Sequence, residues 1–111
     1  MQIQERIRDI INVGSVDIIF LTGGTGLSPR DRTPEAVRPL LDFEIPGIGE
    51  LLRASGAAKT PMSWLSRSIA GVIGKTLVIS LPGSKNAVVE GIAALTPILN
   101  HAVHIARGGR H

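Results

Sequence analysis

The chain contains no cysteine and no tyrosine. The first absence excludes disulfides, thiolate metal sites and a cysteine nucleophile. The second leaves Phe20, Phe43 and Trp64 as the whole aromatic inventory, too few for the stacking platforms on which single-stranded nucleic acids lie. A concentrated charge of one sign is missing as well. The formal net charge of +3 rests on dispersed Lys and Arg, part of it in the terminal Arg107-Gly108-Gly109-Arg110-His111, so nucleic acid is not an expected partner. No uninterrupted apolar run approaches the ~20 residues of a membrane span. Residues 2–6 lack the basic and apolar regions of a signal peptide. No membrane association is expected, and the cytoplasm is the expected compartment.

What is present is an ordinary globular composition: 111 residues, 43% hydrophobic and 19% charged. That length has room for one core. The expectation is a single domain over residues 1–111 with a flexible tail at residues 107–111. One stretch organises the rest, LTGGTGLSPRDRT at residues 21–33. It follows an apolar, β-branched run at residues 16–21, which has the length of a strand buried on both faces. Gly23, Gly24 and Gly26 then form a turn where positive φ is cheap and a ligand can approach main-chain N–H groups without meeting a Cβ. The spacing matches neither dinucleotide nor P-loop fingerprints, so by itself it leaves a phosphate cradle and an empty turn both open.

Ile3, Ile7, Ile10 and Ile11 share one face of a helix over residues 2–12, and Gly14 is its expected C-cap. Thr33-Pro34-Glu35 reads as an N-cap, a proline at N1 and a first-turn carboxylate, starting a helix at Pro34 that Pro39 kinks or splits. Pro46 starts another helix with Ile48, Leu51 and Leu52 inward and Gly56 closing it. A linker at residues 57–60 and a short helix at residues 61–66 follow, with Trp64 packed under the Leu51–Leu52 helix. Residues 69–73 and 76–81 are apolar runs separated by Gly74-Lys75, a strand pair with a tight turn. Ser84 caps a last helix with Val88, Val89, Ile92 and Leu95 inward, restarting after Thr96-Pro97 as residues 98–106. His101 and His104 lie at i, i+3 with no third ligand and read as a surface or interface pair. This alternation predicts an α/β fold, a mostly parallel sheet flanked by helices.

Several motifs then agree with one family. The sequence TGGTGLSPRDRTPE, then LSRS at residues 65–68 and GKTLVISLPGSKNAV at residues 74–88, resembles the MogA/MoaB type of molybdopterin-binding domain, also found in the gephyrin G domain. The resemblance implies an α/β domain that binds molybdopterin and, in MogA-like members, adenylates its terminal phosphate with Mg-ATP. Adenylyl-molybdopterin then passes to a MoeA-like protein for metal insertion. By resemblance, Thr22, Gly23, Gly24, Thr25 and Gly26 line the nucleotide and pterin site. Ser66, Ser68, Pro82, Gly83, Ser84 and Lys85 contribute at the pterin and phosphate end, and Asp31 is the functional carboxylate. Physically, Asp31 could hold Mg²⁺, orient a phosphate or merely help cap the helix from Pro34. Ser84 and Lys85 stand at a helix N-terminus that could bind an anion or simply be capped.

The resemblance also implies a preceding segment with a first strand and acidic residues, and Met1 falls inside the helix that follows it. That strand is expected near the middle of the sheet, so its absence should leave a gap and remove part of the site. Three readings stay open: an adenylyltransferase, a MoaB-like pterin-binding module, and a fragment inactive without a complementing segment. Relatives of this type are trimers or hexamers, so a homo-oligomer is expected.

Overall fold

The computed structural model describes residues 2–109. Its helices are α1 (Gln2–Val13), α2 (Thr33–Val37), α3 (Pro46–Ala57) and α4 (Lys85–Ala106), and its strands are β1 (Ile18–Thr22), β2 (Phe43–Glu44), β3 (Ala70–Ile73) and β4 (Thr76–Leu81). The strands form one sheet in the order β1-β4-β3-β2. Strand β4 is buried at every position, because both its faces are covered. Leu77, Ile79 and Leu81 join Ile48, Leu52 and Leu95 beneath α3 and α4. Val78 faces the other way, into a cluster with Ile7, Ile19, Val37 and Ile69 beneath α1 and α2. Period-2 alternation thus builds a helix–sheet–helix sandwich from one continuous apolar run.

The α/β expectation with flanking helices holds, whereas the expected parallel majority does not. Among the described strands β1 runs parallel to β4, while β3–β4 and β2–β3 are antiparallel. The two-residue link Gly74-Lys75 allows only a hairpin, since a parallel return needs a crossover. Among the described strands no gap interrupts the sheet either. Consecutive strands are hydrogen-bonded throughout, and β1 lies at one edge. The Cα radius of gyration of 13.5 Å is close to the ~13 Å of a compact domain of this length.

Local departures have local causes. Strand β2 has two exposed residues and no periodicity to read; its neighbours anchor it, with Asp42 N–H on Val72 O at 2.8 Å and Ile45 N–H on Ala70 O at 2.7 Å. Helix α2 splits as expected, continuing as a 3₁₀ turn over Arg38–Leu40. Gly14 closes α1 at φ +84°, but Gly56 does not end α3, which runs on to Ala57. Helix α4 is unbroken through Pro97. Thr96, Pro97 and Ile98 are exposed, so water can satisfy the carbonyl that the proline leaves unpaired. Leu95 is fully buried and Val88, Leu99, Ala102 and Val103 pack beside it, while Val89 and Ile92 turn outward. By length and composition alone α4 could cross a membrane; here it lays this stripe on the core. Trp64 is 58% exposed rather than packed under α3. Of the expected flexible tail, Arg110 and His111 lie outside the described residues, and Arg107 forms an ion pair with Asp17.

Candidate functional site

Two glycine turns meet because their strands do. Thr22, the last residue of β1, is paired with Leu81, the last of β4, so both strands end level at the carboxyl side of the parallel pair. Open α/β sheets bind ligands at such carboxyl ends. Gly23 N–H donates to Leu81 O at 2.9 Å. Gly24 has φ +72°, and a Cβ built there would lie 2.1 Å from Thr33 Oγ1, so both conformation and space exclude a side chain. Thr33 is not the cap of α2 but its first residue, buried, with its hydroxyl donating to Gly23 O at 3.0 Å and its N–H to Gly24 O at 3.1 Å. At Gly83 a Cβ would stand 3.2 Å from Gly23 Cα. The two turns therefore pack backbone against backbone.

Beside them opens a cleft of about 820 Å³, within the ~300–1,000 Å³ usual for small-molecule sites. It gathers Gly23, Gly24, Thr25, Gly26 and Asp31 from the first turn, Pro82, Gly83 and Ser84 from the second, and Ser66 between them. Leu27, Leu52, Met62 and Leu65 supply an apolar wall. Lys59 and Glu90 also line it and bridge α3's end to α4 with a 2.9 Å ion pair. Lys59 is the only cation among the lining residues described. Sequence reasoning missed it, placing it in a featureless linker.

Three expected site residues lie elsewhere. Thr22 ends β1 and Lys85 begins α4, and neither is among the residues lining the cleft. Ser68 is only 6% exposed, its hydroxyl 3.0 Å from that of Ser66. Ser84 does cap α4, its Oγ accepting from Ala87 N–H at 3.1 Å. Asp31 does not cap α2; Arg32 holds the cap position without a side-chain bond. The Asp31 carboxylate instead turns back on its own loop, Oδ2 accepting from Ser28 N–H at 3.1 Å. Among the described residues no group of three or more His, Cys, Asp or Glu could enclose a metal. His101 borders a second, apolar groove of about 530 Å³ with Phe43, Val72 and Ile98.

Arg67 is the residue that sequence reasoning underrated. Its Nη1 donates to Glu35 Oε2 at 2.6 Å, its Nη2 to Glu35 Oε1 at 3.3 Å, and its Nε to Gly26 O at 2.9 Å. Hydrogen bonding to Arg67 holds the Glu35 carboxyl below its ordinary range, and the same bond raises the guanidinium of Arg67. Its fork is spent within the protein.

Comparison with known proteins places the chain in a family. A family profile described as "Probable molybdopterin binding domain" matches residues 1–101. The chain belongs to the MogA/MoaB-type family of molybdopterin-binding domains. It is 50% identical over 109 residues to the molybdenum cofactor biosynthesis bifunctional protein of Synechococcus elongatus, a match covering 98% of this chain and 34% of that protein. The molybdopterin biosynthesis enzyme MoaB of Thermus thermophilus superposes with a TM-score of 0.89 at 48% identity, covering 96% of this chain and 67% of that one. The molybdopterin biosynthesis Mog protein of Mycobacterium ulcerans gives 0.90 at 41% identity, covering 95% and 68%. The chain thus spans about a third of the bifunctional relative, and its family is one of molybdenum cofactor biosynthesis proteins.

Proposed function

We propose that the cleft binds molybdopterin and that, in the MogA manner, the domain adenylates its terminal phosphate with Mg-ATP. The observation carrying this reading is the meeting of the two glycine turns at the carboxyl ends of β1 and β4, where backbone N–H groups and the α4 N-terminus favour anions. In the transfer, a phosphate oxygen of molybdopterin attacks the α-phosphorus of ATP and pyrophosphate leaves. Such chemistry asks for positioning and charge stabilisation rather than covalent catalysis. Asp31 would hold Mg²⁺ through its carboxylate, since a single protein carboxylate suffices for this ion where substrate phosphates and water supply the rest. When bound, the ion would offset phosphate charge. Thr22, Ser68 and Lys85 are left out of direct contact; Ser66, Pro82, Gly83 and Ser84 remain. The adenylylated product goes to a MoeA-like insertion protein, with the domain working as a homo-oligomer in the cytoplasm.

One observation favours the alternative of a MoaB-like pterin-binding module. Only Asp31 and Glu90 bring carboxylates to the cleft, and Glu90 is tied to Lys59. The experiment separates the two. Molybdopterin is titrated into wild type and Asp31→Asn, and pyrophosphate release with Mg-ATP is measured for both, with each chain alone and preceded by the N-terminal segment that the family resemblance implies. Binding should survive in the variant while turnover falls on the order of 10²-fold, the scale of losing one key electrostatic stabiliser. Asn can still accept from Ser28 N–H, so unchanged turnover would reduce Asp31 to a loop organiser. Turnover by neither wild-type form would leave the binding module, and failure of the folded wild type to bind molybdopterin would overturn both readings.

A further inference from the structure

Loop 25–31 carries part of the cleft, yet no helix or strand holds it. A tight turn within it, Asp31 N–H on Ser28 O at 2.9 Å and Ser28 N–H on Asp31 Oδ2 at 3.1 Å, shapes its tip, and its two ends are tied from outside. Arg67 N–H donates to Thr25 O at 2.7 Å. The guanidinium of Arg67 donates to Gly26 O at 2.9 Å and to Asp31 O at 2.5 Å. Its remaining bonds go to both oxygens of Glu35 on α2. One residue thus reaches both ends of the loop and the helix that follows it. Four of five guanidinium N–H groups are engaged, and Arg67 is not among the residues lining the cleft, although its neighbour Ser66 is.

We propose that Arg67 is a positioning residue for the ligand. Without touching the ligand, it locks loop 25–31 in the shape that presents the Gly24–Gly26 backbone and the Asp31 carboxylate to the cleft, and Glu35 holds the guanidinium in plane. The inference rests on the reading of the cleft as a ligand site. A planar fork is essential to this role, because a lysine ammonium is a point charge and cannot reach two carbonyls and a bidentate carboxylate together. Asp31 lies against the first anchor: a Cβ at Gly26 would stand 2.7 Å from Asp31 Oδ2, and Arg67 holds the Asp31 carbonyl itself.

The test compares wild type with Arg67→Lys, Arg67→Ala and Glu35→Gln in the full chain. Amide hydrogen exchange reads loop 25–31 against the buried strand β4, thermal melting reads global stability, and calorimetry reads Mg-ATP affinity. Exchange of the loop amides should accelerate about tenfold or more in Arg67→Lys, with β4 protection nearly unchanged. Glu35→Gln, which keeps one acceptor and both carbonyl bonds, should fall between. Mg-ATP affinity should weaken in the same order, by about tenfold for Arg67→Lys. Should Arg67→Ala fail to fold, the other two variants still decide. Equal acceleration in the loop and β4, or loop exchange unchanged in Arg67→Lys, would overturn the positioning role and leave Arg67 as general structural support. If wild type binds no Mg-ATP, the nucleotide reading of the cleft fails, and the exchange pattern alone decides the lock.

Discussion

At the scale of single residues the site depends on two polar side chains that face inward, Thr33 and Arg67, more than on the glycines they organise. Glu35 gives this arrangement a pH signature. Its carboxyl is held below the ordinary 4.5, first by the hydrogen bond from Arg67, partly offset by desolvation, and then by a backbone hydrogen bond and the charges of Arg67 and Arg32. A carboxyl with a depressed folded pKa contributes stability that is fully present above its unfolded value and is lost as pH falls through the folded one. Wild type should therefore melt higher than Glu35→Gln at neutral pH, and the two curves should converge as pH drops below 4.5. Thermal melts across pH check this; a constant offset down to strongly acid pH would mean that the carboxylate charge is not what stabilises the loop. The sequence made Arg67 visible as a polar residue between two serines but not its direction. Direction depends on the segment before β3 lying against α2 in space, and no local pattern encodes that. The same holds for Lys59 and Glu90, which meet only because α3 and α4 lie side by side.

At the scale of elements, β1, β4 and the first helix were legible because each carries an apolar pattern of the right period, and the glycine turn because strand and turn adjoin. Helix α4 shows where such reading stops. Thr96-Pro97 looks like a break, since a proline within a helix costs ~3 kcal/mol, yet the helix continues because this proline stands on the exposed side and the buried stripe from Val88 to Ala106 is uninterrupted. Packing outweighs the local preference. Pro97→Ala should consequently stabilise the domain, by about 1–3 kcal/mol, restoring one helical hydrogen bond at little cost to the fold. Urea unfolding measures it. A loss of stability would mean instead that the proline shapes α4 against the sheet. Strand β2 could not be read at all, for two exposed residues have no period; it exists because Gly71 lets Phe43 O approach closely and the sheet edge offers partners.

At the scale of the whole molecule, the described strands form one contiguous sheet with β4 buried inside it, while its surface argues against solitude. Strand β1 pairs only with β4 among the described strands, so one side of its backbone is open for pairing. Phe20 is 36% exposed on that strand, and Val89, Ile92 and Ile98 are exposed along α4. Scattered apolar residues on a surface need no explanation, but an open edge carrying an exposed aromatic is a template for association. We therefore expect dimers or larger assemblies at micromolar concentration in sedimentation velocity. Phe20→Lys tests the route, because a lysine on an edge strand opposes strand pairing at little cost to the core. It should shift the distribution towards monomer, whereas Phe43→Lys, at the opposite edge on β2, should not. A shift with Phe43→Lys alone would place the contact at the β2 side and its apolar groove. A wild type that sediments as a cooperatively folding monomer would show that the β1 edge is tolerated in water and that this domain needs no second copy.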